Sequence, residues 1–218
     1  MEIEKGRSDA RTDDTNKLKG YIVELLTSVF DSTQAEGLTS TVKSTRGFQH
    51  PLTGQLLTPC DKDWEDPVTQ DDLKSGKLVS KKWPQYLFRG FRADPARLFH
   101  GFLQNDLMLR AALCIFVNPS ALAKDTSRSR SNRAGNAALA GMTEMTVPAL
   151  AYVAFQLRFT LCSEEVFCKG GHDLFDYSRL YYDVIRLLED PHMSWLKKAV
   201  LQWYNVSVAD ILSVPDRY

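Results

Sequence analysis

The densest set of metal-type ligands in this sequence is Cys162, Cys168 and His172, with Cys60 or His50 available to complete a tetrahedron. The set lacks the close Cys-x-x-Cys pair of structural zinc sites. Cys162 also closes an apolar helical stretch, where a free thiol packs as a small hydrophobe. No metal is expected. Asp61, Asp63, Glu65 and Asp66 crowd carboxylates together, but a calcium loop also needs a mid-loop glycine and a distal bidentate Glu. The run reads as a solvated acidic turn. No glycine-built phosphate cradle and no G-x-S-x-G elbow occurs, so no cofactor and no catalytic residue is assigned. The sequence leans away from an enzyme.

Two other features could bind a ligand. Arg158 sits in the most apolar stretch of the chain, where an unpaired guanidinium is costly. Structural pairing with Asp183, Glu189 or backbone carbonyls is the plainer expectation, and a ligand at a cleft is the sharper one. The second feature is the run Ser127-Arg128-Ser129-Arg130-Ser131, continued by Arg133 and Asn136. Basic Ser/Arg loops touch phosphates and can be switched by phosphorylation. Arg128, Arg130, Arg133, Asn136 and Arg158 are therefore the candidate binding residues. His50, Arg158 and Asp183 are the residues from which a scattered enzyme site would be assembled.

The elements that must position these groups are mostly helical. Leu18, Tyr21, Ile22, Leu25, Leu26, Val29 and Phe30 follow the i, i+3, i+4, i+7 spacing of an amphipathic helix. Residues 46–58 interleave Pro and Gly with apolar groups, which predicts a small β-hairpin or turn. Asp66-Pro67 reads as an N-cap with proline at the first helical position, and Asp94-Pro95 repeats the device ahead of Leu98, Phe99 and Phe102. Asn105 caps a helix to Val117, and Thr146 caps one to about Cys162 that is apolar on more than one face. Leu174, Tyr177, Tyr181, Val184, Ile185 and Leu188 form a further stripe closed by Asp190-Pro191. Trp195, Ala199 and Trp203 with Leu196 and Val200 form the last, with Ser207 as the cap of a short final helix. The fold class is mainly α. The reading is a disordered tail over residues 1–12, then a single compact multi-helix domain over 13–218 with an exposed basic loop at about 123–141.

Landmarks along most of the chain resemble an uncharacterised domain family abundant in mushroom-forming basidiomycete fungi. They begin with Arg46-Gly47-Phe48, His50 and Thr53-Gly54-Gln55-Leu56-Leu57, followed by Asp63-Trp64, Trp83-Pro84 and Phe99-His100-Gly101-Phe102-Leu103. The most specific block is Arg133-Ala134-Gly135-Asn136-Ala137, Gly141-Met142-Thr143 and Val147-Pro148, running on through Arg158-Phe159. Tyr181-Tyr182, Asp190-Pro191 and Trp203-Tyr204-Asn205 complete it; the family has two adjacent Trp where this chain has Trp203-Tyr204. The resemblance implies a fungal, intracellular helical domain. It carries no activity and no catalytic residue.

Composition agrees with a packed domain: 44% of the 218 residues are hydrophobic, enough for a sizeable core. Lys plus Arg and Asp plus Glu both number 27, so a role on nucleic acid or an anionic membrane would need a local basic patch. The N-terminal residues carry no secretory h-region, and Val147 to Leu161 is too short to span a bilayer. Four cysteines without a framework fit reduced thiols in cytoplasm or nucleus. The leading expectation is a non-catalytic intracellular module whose helical core presents a groove or surface to an unknown protein partner. Nucleic-acid binding through residues 124–133 is the first alternative and an enzyme the second.

Overall fold

The computed structural model describes residues 12–78, 80, 82–117, 144–166 and 175–212. The tail expected over residues 1–12 (Thr12 apart), the basic loop with Arg128, Arg130, Arg133 and Asn136, and Cys168 and His172 lie outside those residues. Thr12 already belongs to a helix.

Helix α1 covers residues 12–20 and runs through Tyr21 into α2, Ile22–Thr27. The Tyr21 amide still reaches the Lys17 carbonyl at 3.1 Å. Leu18, Ile22, Leu25 and Leu26 are fully buried, whereas Tyr21 is exposed. The remaining α-helices among the described residues are α3 (Pro51–Leu57), α4 (Pro67–Lys74), α5 (Asp106–Phe116), α6 (Val147–Leu161), α7 (Tyr177–Glu189) and α8 (Ser194–Leu212). Among the described residues β-structure is limited to two isolated antiparallel bridges, Pro59 with Pro84 and Phe88 with Phe102. The fold is helical, as the apolar spacing requires.

The caps explain most of the boundaries. The Asp66 carboxylate accepts from the Val68 and Thr69 amides, with Pro67 opening α4. Asn105 caps α5 by accepting from Met108, and its amide donates to the Tyr86 carbonyl at 2.9 Å, which ties the helix start to the preceding loop. Thr146 caps α6, and Asp190 closes α7 ahead of Pro191.

Four expectations are corrected. Residues 46–58 form no hairpin; a 3-10 turn at Gly47–Gln49 leads directly into α3. Pro51 occupies the first helical position and the His50 ring caps the helix, so the signals that opened α4 also operate here. Asp94-Pro95 starts only turns: the Asp94 carboxylate accepts from the Ala96 amide as a cap does, but the backbone bonds that follow are i+3 turns, Arg97 to Asp94 and His100 to Arg97, and no i+4 ladder forms. Ser207 caps nothing, since α8 runs through it, and in the α8 stripe Leu196 and Val200 are buried as expected but are joined by Tyr204, while Trp195 and Ala199 are exposed and Trp203 is only partly buried.

Helix α6 is the centre. Eleven of its 15 residues are buried, too many for one stripe, so it needs neighbours on several sides. Helix α7 packs along it most extensively, with α5 on another side. The Tyr86 hydroxyl donates to the Ala154 carbonyl at 2.8 Å, and the Tyr204 hydroxyl to the Leu103 carbonyl at 2.8 Å, joining the loop layer and α8 to the core. A polar thread crosses the α6 surface toward α1. Tyr152 donates to Asp14 at 2.9 Å, Gln156 donates to the Tyr152 oxygen at 3.0 Å, and Thr15 donates to Gln156 at 2.9 Å.

Because Leu157 is fully enclosed, Leu157→Ala is expected to cost about 2–5 kcal/mol. Chemical denaturation measures this directly, and an unchanged midpoint would place α6 at the surface.

Candidate functional site

The C-terminal end of α6 is a buried, cation-rich place. A helix ends with unpaired carbonyls and partial negative charge. Here both are met by side chains more than a hundred residues earlier in the sequence. Lys43 Nζ donates to the Phe159 carbonyl at 2.8 Å and to the Glu164 carbonyl, and lies over the Phe159 ring at 3.5 Å. Arg46 Nη1 donates to the Thr160 carbonyl at 2.9 Å, while Nη2 donates to the Thr39 and Ser40 carbonyls at 2.8 and 3.0 Å. Gly47 follows with φ +68°, and a Cβ there would press on Ser163, so the two segments meet backbone to backbone.

Arg158 lies in the same region and is 5% exposed. Its guanidinium stacks on Phe175, 4.1 Å from the ring centroid. The expected partners serve other cations. Asp183 pairs with Arg179 at 3.2 Å and Arg186 at 2.9 Å, and Glu189 pairs with Lys197 at 2.6 Å. The ion pair expected for Arg158 with either acid is therefore absent. Burial pulls the Arg158 pKa down, but Tyr177, Cys162 and Glu164 outweigh it and hold the group above its usual value. The charge stays on.

His50 is likewise spent on structure. Its Nδ1 accepts from the Leu52 amide at 3.2 Å, which leaves the hydrogen on Nε2 to donate to the Glu36 carbonyl at 2.9 Å. His50, Arg158 and Asp183 thus each answer to a different set of partners and form no common site. Asp66 is committed as a helix cap and Asp63 as the acceptor of a turn from the Glu65 amide at 3.0 Å, so the acidic run is a pair of local turns.

An open cleft lies on the loop face. It encloses about 870 Å³ and is walled by residues 58–65, 82–85 and 90–98. Its walls are pinned by the Cys60 amide on the Trp83 carbonyl at 2.8 Å, the Gln85 amide on the Thr58 carbonyl at 2.9 Å, and the Ala93 amide on the Gln85 side chain at 2.9 Å. A second hollow of about 480 Å³ shares Gln55, Trp64 and Glu65 with it, so the two form one groove past α3.

Each aromatic group of the groove rests on another ring behind it. Trp64 stacks on Phe48 at 6.2 Å, Trp83 stands edge-on to Phe102 at 5.1 Å, and Phe91 lies on Phe30 at 4.7 Å. Gly54 makes this possible, because a Cβ at that position would overlap the Trp64 indole. Phe91 is held at φ +57°, a conformation bulky residues avoid, immediately after Gly90 at φ +67°. Such backbone persists only where its surroundings impose it, and it is concentrated at functional sites. The rim carries Asp61, Asp63 and Glu65 opposite in sign to Lys62, Lys82 and Arg92. Cys60 also lines the cleft, but burial, reinforced by Asp61, raises its thiol pKa, the wrong direction for a nucleophile.

This helical architecture now meets a match at the level of family. The chain belongs to the family of unknown function DUF6698, whose model matches residues 5–209. No curated protein and no solved structure matches it. The DUF6698 match takes in both the groove and the α6 terminus. Sequence reasoning missed the groove because it is assembled from turns, without periodicity. The Pro and Trp spacing of residues 51–67 and 83–95 was the available signal. No helix among the described residues is long and apolar enough to cross a membrane.

Lys43 supplies a pH test. Burial lowers its pKa from 10.5 to about 8. The folded chain then sheds this proton before the unfolded chain does, so the Lys43 contribution to stability rises with pH between those values. Cys114 and the buried Tyr86 and Tyr204 are raised by burial and pull the other way at higher pH, but equally in a variant. The melting temperature of the parent minus that of Lys43→Met should be flat below pH 8 and increase above it. A difference that shrinks above pH 8 would mean the charged ammonium is what the helix end requires.

Proposed function

We propose that this domain is a non-catalytic module that binds an extended segment of a partner protein in the Trp64–Trp83–Phe91 groove. The observation that carries the reading is an open cleft lined by the part-exposed rings of Trp83 and Phe91, with the buried Trp64 also in its wall, each backed by another ring, and a rim that bears both charge signs. Aromatic anchors supply contact area at small entropic cost, and they dominate protein recognition sites. A rim of mixed sign suits a polypeptide with acidic and basic side chains better than a polyanion, which calls for a basic face. The groove also lacks an activated nucleophile, since its thiol is held protonated and the neighbouring His50 is committed to a cap. The resemblance to a fungal family supports a fungal origin and an intracellular site of action for the same module.

Selection of random peptides against the intact protein tests the reading. Enriched peptides should perturb the indole N–H resonances of Trp64 and Trp83 while leaving Trp195 and Trp203 unchanged. Trp83→Ala should weaken them by about 10-fold or more, the usual cost of truncating an aromatic anchor. Peptides that shift only Trp195 or Trp203 would move the binding face to α8. Failure to enrich any peptide, with single-stranded nucleic acid bound instead and released by replacing Arg128, Arg130 and Arg133, would replace the proposal with its rival.

A further inference from the structure

Charge is unevenly distributed around the end of α6. Lys43, Arg46 and Arg158 are buried there, and Lys19 reaches the Phe159 ring at 5.1 Å. Lys43 and Arg46 are absorbed by the helix-terminal carbonyls and by the chain at Thr39 and Ser40. Arg158 is not. Its Nε and Nη1 are enclosed and meet no hydrogen-bond acceptor, whereas Arg46 leaves only its Nε unpaired.

The neighbouring groups are otherwise occupied. Glu164 accepts from the Tyr177 hydroxyl at 2.7 Å, and no ion pair joins it to Arg158. Cys162 Sγ contacts the Tyr177 oxygen at 3.1 Å and donates to the Phe159 carbonyl at 3.1 Å. The Tyr86 hydroxyl is used on Ala154. Phe175, stacked on the guanidinium, is itself only half-buried, so the charge lies one ring beneath the surface. A stacking ring holds the plane of a guanidinium but cannot accept its in-plane N–H groups, which are built for the oxygens of a carboxylate or phosphate. Leaving buried donors of a charged group unmade is more costly than leaving neutral ones.

From this geometry we infer that Arg158 is the anchor of an anion site, taking the carboxylate or phosphate group of a small ligand on its unpaired N–H edge beside Phe175. The site is separate from the aromatic groove, and the inference does not rest on the peptide-binding reading. Glu164 faces it as a like charge to the ligand, which favours a compact anion presented to one edge over a large polyanion.

The test is thermal unfolding of the full chain, freed of other anions in chloride buffer and then titrated with inorganic phosphate or with citrate at constant ionic strength. At a concentration about a hundredfold above the dissociation constant, the parent should gain roughly 5–10 °C. A response to phosphate alone or to citrate alone identifies the ligand group, and a response to both shows the shared oxyanion chemistry. Arg158→Met should remove the response while melting within a few degrees of the anion-free parent, since it deletes an unpaired charge and the neighbouring Glu164 keeps the Tyr177 hydroxyl as its donor. Arg158→Lys keeps the charge but loses the planar fork and should weaken the response. Should Arg158→Met fail to fold, phosphorus NMR line broadening on the parent against Arg158→Lys reads the same contrast. No response in the parent up to about 50 mM, or an equal response in Arg158→Met, would overturn the assignment. So would a folded Arg158→Met protein that melts far below the anion-free parent, which would show the guanidinium to be structural.

Discussion

The buried end of α6 is the constraint on which the fold depends. A helix with 11 of 15 residues enclosed cannot expose its last turn to water, yet its final carbonyls need donors. Lys43 and Arg46 provide them from the far side of the sequence. Each removed donor would leave buried carbonyls at about 1–3 kcal/mol apiece, a large share of the stability of a domain this size. The same contacts fix where residues 39–50 run, and therefore where α3 begins. His50 and Pro51 set that start, and the close approach at Gly47 leaves little freedom in its position.

From α3 the constraint passes to the groove. Gly54 admits the Trp64 indole against the helix backbone, and the Thr58–Gln85 and Cys60–Trp83 bonds carry the register across to the opposite wall. Phe102, in edge contact with Trp83, Phe88 and Phe99, joins that wall to the core. The proposed binding face is therefore a rigid consequence of core packing. Rings already in place lose little freedom on binding, which is what a recognition surface requires.

The helices were legible because their signals are local. Asp66-Pro67, Asn105, Thr146 and Asp190-Pro191 act within one turn, and their caps formed as the sequence implied. The errors came where a local signal had two readings. Pro51 suits a turn or a first helical position and takes the second, and Asp94-Pro95, although Leu98, Phe99 and Phe102 follow it, leads only into i+3 turns. In the α8 stripe Leu196 and Val200 are buried as their spacing implies, but Tyr204 rather than Trp195 is the aromatic residue that reaches inside. Arg158 is the buried charge that its apolar surroundings imply, but the acids expected to pair with it serve other cations. The capping roles of Lys43 and Arg46 join residues 114 to 121 positions apart, and no spacing rule reports such a pairing.

The central claim is that α6 and the segment around residues 39–50 are one cooperative unit joined at the helix end. Native-state hydrogen exchange on Arg46→Met against the parent tests it most directly. Protection should fall together across Leu150 to Leu161 and across residues 39–57, because the cap holds both. Loss confined to residues 39–47, with α6 as protected as in the parent, would contradict the account.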